Sequence, residues 1–390
     1  MPFNIQFERV PHGYAAHSAK EGEQLRAITR EFISYEAGTL FIDRLEGISR
    51  TILGHIPFEK RPLESTIDHL VALINADGSA TVYINELLPQ ISMRAKRAIK
   101  KGSFVTLDDI LDVQRLTYEG IGIAKDVGIV VVLSSGWRKG LFYDLNPICP
   151  PDFVERDFDV EATLGQYYAY ILFQNLLAIP EATWEELRNQ DWFPFIHLPH
   201  DLVQRIIQYA SEGRTVDDML DEIAEETRKL VGERLGEWKA NPILEKHFKI
   251  FEKAYEEFCE DDFISATGLL FPRIEGVLRS NFLEVAPSGR ATQGNLVSAA
   301  IDHAELPPHE GSLLLPERFR RFLVDHYFRG FDPNDPDCLS RHTVAHGVAP
   351  VELFNKKGAT LGFLVLLQLL ALIPIQKSEQ DASEQPVTPP

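Results

Sequence analysis

The stretch that decides the fold of the C-terminal part of this chain is Arg341-His342-Thr343-Val344-Ala345-His346-Gly347. It places one permanent cation and two titratable imidazoles within six residues. Histidine can accept or donate a proton near neutral pH, and arginine can hold a phosphate through two parallel hydrogen bonds. If the stretch is helical, His342 and His346 lie one turn apart on the same face. This combination indicates a site for binding and cleaving a phosphodiester.

The spacing Arg341-His342-x-x-x-His346 resembles the Rx4–6H signature of HEPN domains. A second stretch, Phe271-Pro272-Arg273-Ile274-Glu275-Gly276-Val277-Leu278-Arg279, is similar to the core helix of a bacterial, defence-linked HEPN subgroup. In that subgroup an acidic residue and an arginine follow a proline-containing turn. The resemblance covers residues 243–376, about a third of the chain. It implies an all-α helical bundle in which Glu275 and Arg279 support the site.

The resemblance also implies a metal-independent endoribonuclease that acts in defence or stress and needs no cofactor. The catalytic residues are then Arg341, His346 and His342. The ribose 2′-OH attacks the neighbouring phosphorus, with His346 as general base or acid and Arg341 holding the charged oxygens. His342 orients the phosphate or assists proton transfer. Because HEPN protomers commonly join their motifs across a symmetric interface, a homodimer through the C-terminal bundle is expected.

Three other interpretations of the motif stay open at this stage. In the first, Arg341 pairs with a carboxylate such as Asp337 or Glu275, and the histidines are helix caps. In the second, the HxxxH spacing binds zinc, although the glutamate of HExxH and a third ligand are missing. In the third, the domain is a non-catalytic HEPN module that binds a nucleotide or a partner and dimerises.

The net charge of −19 excludes wrapping of long DNA, because a duplex binder needs a broad basic face. Residues 243–376 carry only about −5 of that charge, so most of the acidity lies upstream. A local basic cluster near the motif allows a small RNA grip, and within it we predict that the substrate is bound by Arg320, Arg321 and Arg329. The basic run at 94–101 suits either a phosphate-facing patch or a solvated helix face, and the second is the commoner origin of such runs.

Periodicity along the chain predicts a mainly α fold class with four regions. Residues 1–150 form an α+β region, with helices at 21–52 and 93–116 and hairpins at 69–84 and 128–143. Residues 151–242 form a helical middle region that ends in a charged helix from residue 215. Residues 243–376 form the HEPN-like helical bundle, and the polar tail at 377–390 is expected to be disordered.

The apolar run from Gly358 to Ile375 has the minimum length for a membrane span, but the same composition suits a core helix. Gln368 near its centre favours a core helix, so no membrane association is expected. Three widely spaced cysteines without a CxxC motif indicate neither a disulfide framework nor a zinc site. The N-terminus lacks a signal-peptide pattern, and a cytoplasmic location follows as an expectation.

Overall fold

The structure is a computed structural model, and it describes residues 2–11, 15–16, 18, 20–24, 26–63, 66–150, 153–302, 311–332 and 338–373. The chain divides into two compact units. The sheet unit comprises Met1–Arg94 and Asp112–Gln174, and the helical unit comprises Ala95–Leu111 and Asn175–Pro390. The predicted disordered tail at 377–390 lies outside the described residues.

A six-stranded antiparallel sheet organises the sheet unit, with strand order β1-β6-β5-β9-β10-β4. Two pairs of strands, β2–β3 and β7–β8, form separate two-stranded sheets. The strands of the chain are β1 (Phe3–Gln6), β2 (Ala15–Ala16), β3 (Ala27–Ile28), β4 (Arg30–Ser34), β5 (Leu70–Ile74), β6 (Ser79–Ile84), β7 (Pro89–Ala95), β8 (Ile110–Tyr118), β9 (Gly128–Ser135) and β10 (Arg138–Asp144).

Alternate side chains of a strand point to opposite faces of the sheet. The central strands carry apolar residues at successive positions, so both faces of the six-stranded sheet are covered by a core. On one face, Ala72 of β5 packs in a core that includes Phe41 from helix α1 (Thr39–Ile48). On the other face, Val71 packs in a core with residues of helix α2 (Val160–Leu172). A Cβ at Gly165 of α2 would lie 2.8 Å from the Cα of Arg115, so glycine is needed where α2 crosses β8.

The two predicted hairpins are present as β5–β6 and β9–β10. Each turn contains a glycine with positive φ, Gly78 at +85° and Gly136 at +60°, a conformation that residues with a side chain rarely adopt. One predicted helix is wrong over its first half, and another is wrong. The segment predicted as a helix at 21–52 contains β3 and β4 before α1 begins, and the segment at 93–116 contains the end of β7, an irregular loop and most of β8.

A buried ion pair lies at the end of β10 in the sheet unit. Arg156 is 2% exposed and Asp144 is fully buried. The Nε of Arg156 donates to Asp144 Oδ2 at 2.9 Å, and its two terminal nitrogens donate to the carbonyls of Ala124 and Val127 at 3.0 and 2.8 Å. Arg30 contacts the other carboxylate oxygen at 3.2 Å. Every charge that is removed from water here therefore has a partner, as buried charges require.

The described part of the helical unit is mainly a set of packed helices. Helix α3 (Gln174–Leu177) begins at the boundary between the units. The further helices are α4 (Glu181–Asn189), α5 (His200–Ser211), α6 (Leu220–Ala240), α7 (Pro242–Glu245), α8 (Phe248–Cys259), α9 (Phe263–Val285), α10 (Gln293–Asp302), α11 (Pro316–Phe322), α12 (Arg341–Ala345) and α13 (Lys356–Leu372).

Helix α13 forms the centre of the helical unit, as the core interpretation of the apolar run predicted. Most of its residues are buried, and it packs against α6 and α9. Gln368 is fully buried and donates its side-chain N–H to the carbonyl of Leu314 at 2.8 Å. Within the described ranges, no helix has the length and apolar character needed to cross a membrane.

The predicted mainly α fold class is wrong for the chain as a whole, which is a mixed α/β protein. The error arises in the N-terminal part, where the six-stranded sheet replaces much of the predicted helix. The apolar spacing near Phe32 and Ile33 suits a helix or a strand, and pairing with β10 decides between them.

Candidate functional site

The motif forms a single helical turn that local hydrogen bonds define at both ends. Ser340 caps α12 at its N-terminus, since its hydroxyl accepts from the Thr343 N–H at 3.2 Å and Thr343 Oγ1 accepts from the Ser340 N–H at 2.9 Å. At the other end, Gly347 has φ +67°, the left-handed conformation that ends many helices. The turn places the rings of His342 and His346 in a stacked arrangement, with centroids 6.1 Å apart and planes 11° apart.

Arg341 is held by a carboxylate on a different helix. Glu275 of α9 is 3% exposed, and its Oε2 forms an ion pair with Nε of Arg341. Its Oε1 accepts from Arg279 Nε at 2.7 Å. The interpretation in which Arg341 pairs with Glu275 is therefore correct about the contact, whereas Asp337 lies outside the described residues. Glu275 thus links Arg279 to Arg341, and a supporting role of Glu275 and Arg279 in a functional site stays a prediction.

Arg341 keeps part of its binding capacity in spite of this ion pair. A guanidinium has five N–H donors, and Glu275 engages the one at Nε. Among the described residues, no partner contacts its two terminal nitrogens, and the side chain is 23% exposed. Glu275, Arg279 and Arg341 together carry one net positive charge. This cluster is therefore suited to binding an anion.

The two histidines differ in environment. His342 is half-buried, and the Gln293 amide at the start of α10 donates to its Nε2. Burial, together with the positive charge of Arg341 and the neighbouring His346, lowers the pKa of His342 below its usual value. His342 is therefore neutral at neutral pH. The His346 side chain is exposed, so a dissolved substrate can reach it.

The three arginines predicted to bind substrate lie in different surroundings. Arg320 bridges α11 and α10 by donating to Ser298 Oγ at 2.8 Å and pairing with Asp302. Arg321 lies on the exposed surface of α11. Arg329 lines a cavity that is described below. Their role in binding RNA stays a prediction.

Two residues near the motif were not predicted from the sequence. Gln293 gave no signal, because a single glutamine far along the chain has no recognisable spacing to His342. Tyr327 is buried, and its hydroxyl donates to the carbonyl of Phe271 at 2.6 Å. Burial, with the negative charge of Glu275 nearby, raises the pKa of Tyr327 well above its usual value. Tyr327 is therefore a hydrogen-bond donor rather than a base.

The parts of the chain that the structure describes contain no group of three or more His, Cys, Asp or Glu side chains placed to hold a metal ion. Two stacked imidazoles alone leave a zinc ion short of ligands.

The chain matches no protein-family model, no curated protein and no solved structure. No relative supplies a function, so the proposals below rest on the residues of this chain.

Proposed function

We propose that this protein is a metal-independent endoribonuclease of the HEPN type, with its site at Arg341, His342 and His346. One observation carries the proposal: an exposed imidazole stacks on a neutral one, beside an arginine that Glu275 engages only at Nε. These are the groups that transesterification of RNA needs, a proton acceptor and a fixed positive charge. The resemblance of the two sequence stretches to HEPN domains supports the same function.

The reaction proceeds in one displacement at phosphorus. His346 accepts the proton of the ribose 2′-OH as the O2′–P bond forms, and the P–O5′ bond breaks. The terminal nitrogens of Arg341 bind the non-bridging oxygens as these gain charge. His342 helps to orient the phosphate. A second imidazole must protonate the departing 5′ oxygen, and a second copy of the chain supplies it in the proposed homodimer.

The experiment compares wild-type protein with His346→Ala and Arg341→Lys on single-stranded RNA in excess EDTA. The expected result is cleavage by the wild type that leaves 2′,3′-cyclic phosphate ends and spares DNA, which has no 2′-OH. His346→Ala is expected to lose about 10²-fold or more in rate. Arg341→Lys is expected to lose most of the rate, because an ammonium cannot replace the fork.

Two matched controls separate chemistry from general damage. His55→Ala removes an exposed histidine of the sheet unit, and Arg273→Lys alters an exposed arginine of α9. Both are expected to keep wild-type cleavage. Cleavage that EDTA abolishes, or equal cutting of DNA and RNA, contradicts the mechanism.

A specific observation favours a second candidate, a non-catalytic module that dimerises and binds a ligand. Arg341 is tied to a buried carboxylate, as a structural arginine would be. A cavity of about 230 Å³ in the helical unit is lined by neither Arg341 nor the two histidines. Absence of cleavage by a folded protein, with a dimer mass in light scattering, would support this candidate. A monomer at micromolar concentration would remove the two-copy site.

A further inference from the structure

A cavity of about 230 Å³ lies within the helical unit, bordered by α9, by α13 and by the segment that follows α11. Six of its fifteen lining residues are phenylalanine, leucine or valine. Its lining also includes Asp191, His326, Arg329 and Lys357. An apolar cavity that contains a few convergent polar groups is the usual form of a small-molecule site.

Asp191 and His326 form an oriented pair at this cavity. The Nδ1–H of His326 donates to Asp191 Oδ1 at 2.6 Å. Asp191 has φ +55°, a left-handed conformation that is costly for a residue with a side chain. Burial acts to raise the pKa of Asp191, but His326, Lys357 and Arg329 together hold it below its usual value. The carboxylate is therefore ionised and fixes the orientation of the ring.

The other nitrogen of His326 has an unmet hydrogen-bonding requirement. Its Nε2 is buried, and no partner contacts it among the described residues. Buried polar atoms without a partner are rare in folded proteins because their desolvation is uncompensated. A ligand in the cavity that His326 lines would supply the missing partner.

Lys357 brings a cation to the same cavity. Its ammonium donates to the carbonyl of Gln190 at 2.8 Å and contacts both carboxylate oxygens of Asp217, at 2.8 and 3.1 Å. Arg329 adds a second positive charge to the lining. Asp191 is the one carboxylate among the described residues that line the cavity, so the lining has an excess of positive charge.

We propose that this cavity binds a small amphiphilic anion, in which a carboxylate or phosphate group is carried on a compact apolar body. The head group accepts a hydrogen bond from the Nε2–H of His326 in its doubly protonated form, whose Nδ1–H is held by Asp191. It lies beside the positive charges of Lys357 and Arg329, and the apolar body contacts the Phe271 and Val365 side of the wall. A dry cavity of about 150 Å³ accommodates benzene, so this cavity suits a substituted ring or a short branched chain. The proposal is independent of RNA cleavage, because Arg341 and His346 do not line the cavity.

The test is calorimetric titration of the full chain with four probes of similar size. Benzoate and phenyl phosphate carry the two anionic head groups, benzyl alcohol is neutral, and benzylamine is a cation. For ligands of this size we expect Kd on the order of 0.1 to 1 mM for at least one anion. Binding is expected to be at least about tenfold weaker for the alcohol and the amine. The stronger anion identifies the head group.

Three variants place the binding in this cavity. Lys357→Met and His326→Gln are each expected to weaken the anion by about 10- to 100-fold. Leu361→Trp keeps every charge but fills the cavity from a partly exposed position, and it is expected to abolish binding. Lys356→Met is the matched control, since Lys356 pairs with Asp221 and lies outside the lining.

The melting curve of each variant is compared with that of the wild type to show that the variant is folded. If either charge variant is unfolded, anion binding by Leu361→Trp is the measurement that tests the proposal. Equal binding of the four probes would overturn the proposal. Undiminished binding by folded Leu361→Trp would also overturn it, as would no saturable binding of either anion at millimolar concentration.

Discussion

Replacing Glu275 by glutamine tests whether the buried carboxylate balances the two arginines that contact it. The side chain of Glu275 is 4% exposed and accepts from Arg279 at 2.7 Å while pairing with Arg341. In Glu275→Gln, the amide oxygen can still accept from one arginine. The amide nitrogen then faces the N–H of the other arginine, so two donors oppose each other.

The loss of unfolding free energy in Glu275→Gln depends on how far each arginine side chain can be rehydrated. Breaking a fully buried ion pair by removing one partner costs about 3–5 kcal/mol. Arg279 is 49% exposed and Arg341 is 23% exposed, so Arg279 rehydrates easily and its contribution is small. We therefore expect Glu275→Gln to lower the free energy of unfolding by about 2–3 kcal/mol, mainly through Arg341.

The assay is urea denaturation of the full chain, followed by circular dichroism and compared at constant slope. His346→Ala is the control and is expected to change the free energy of unfolding by less than about 0.5 kcal/mol, because the side chain is exposed. A double-mutant cycle with Arg341→Gln should give a coupling of about 1–2 kcal/mol. A change below about 0.5 kcal/mol for Glu275→Gln, or a gain in stability, would refute the charge-balance argument.

Three further predictions concern other charged groups. Arg156→Ala should destabilise the sheet unit by about 3–5 kcal/mol, because Arg30 is then the one cationic partner of buried Asp144 among the described residues. Arg30→Ala alters a more exposed side chain and should cost clearly less, so equal losses in denaturation experiments would contradict this ranking. Burial lowers the pKa of Lys96 from 10.5 to about 8. Lys96→Met should therefore raise the free energy of unfolding at neutral pH by about 1–2 kcal/mol. This figure starts from about 1.4 kcal/mol per pKa unit and is reduced for partial exposure and for the lost bond to the Leu198 carbonyl. Because the unfolded state then binds the proton more tightly, this advantage should shrink as the pH rises from about 8 through 10.5, and an advantage that stays constant over that range is the contrary outcome. The pKa of His342 is lowered in the folded state, so below about pH 6.5 the unfolded state binds more protons and the protein becomes less stable as the pH decreases. His342→Gln should therefore lose less stability than wild type between about pH 8 and pH 5. A difference in stability between variant and wild type that is the same at both pH values would contradict the shift.

Local sequence patterns predicted those elements whose geometry is set by near neighbours. The turn at Asp77 and Gly78 fixes the β5–β6 hairpin, because the positive φ of the glycine and the short loop leave one pairing register. The helices of the helical unit follow from apolar periodicity with caps such as Asp262, which accepts from the Ser265 N–H. Strand β4 could not be predicted in this way. Its place depends on pairing Phe32 with Phe142, more than a hundred residues away.

In the candidate site too, features set by nearby residues were predictable from the sequence, and features set by distant contacts were not. The motif itself was visible in the sequence, and Glu275 was named as one candidate partner of Arg341. The contact between Gln293 and His342 depends on how α10 packs beside α12, which no spacing along the chain specifies. The cavity at His326 depends on side chains from several distant segments, so sequence patterns could not predict it.

The interleaving of the two units along the chain has a consequence for the order in which the protein is synthesised. Residues 95–111 belong to the helical unit, but they leave the ribosome before the second half of the sheet unit. Their contacts wait for much later residues: Asp108 accepts from the His200 N–H at 2.6 Å, and the Lys96 carbonyl accepts from Arg234 at 2.8 Å. During translation, the nascent chain must therefore hold this segment without these two contacts until residues 200 and 234 have been made. A fragment that starts at residue 175 would lack residues 95–111. Truncation of the chain at one position therefore does not yield the complete helical unit.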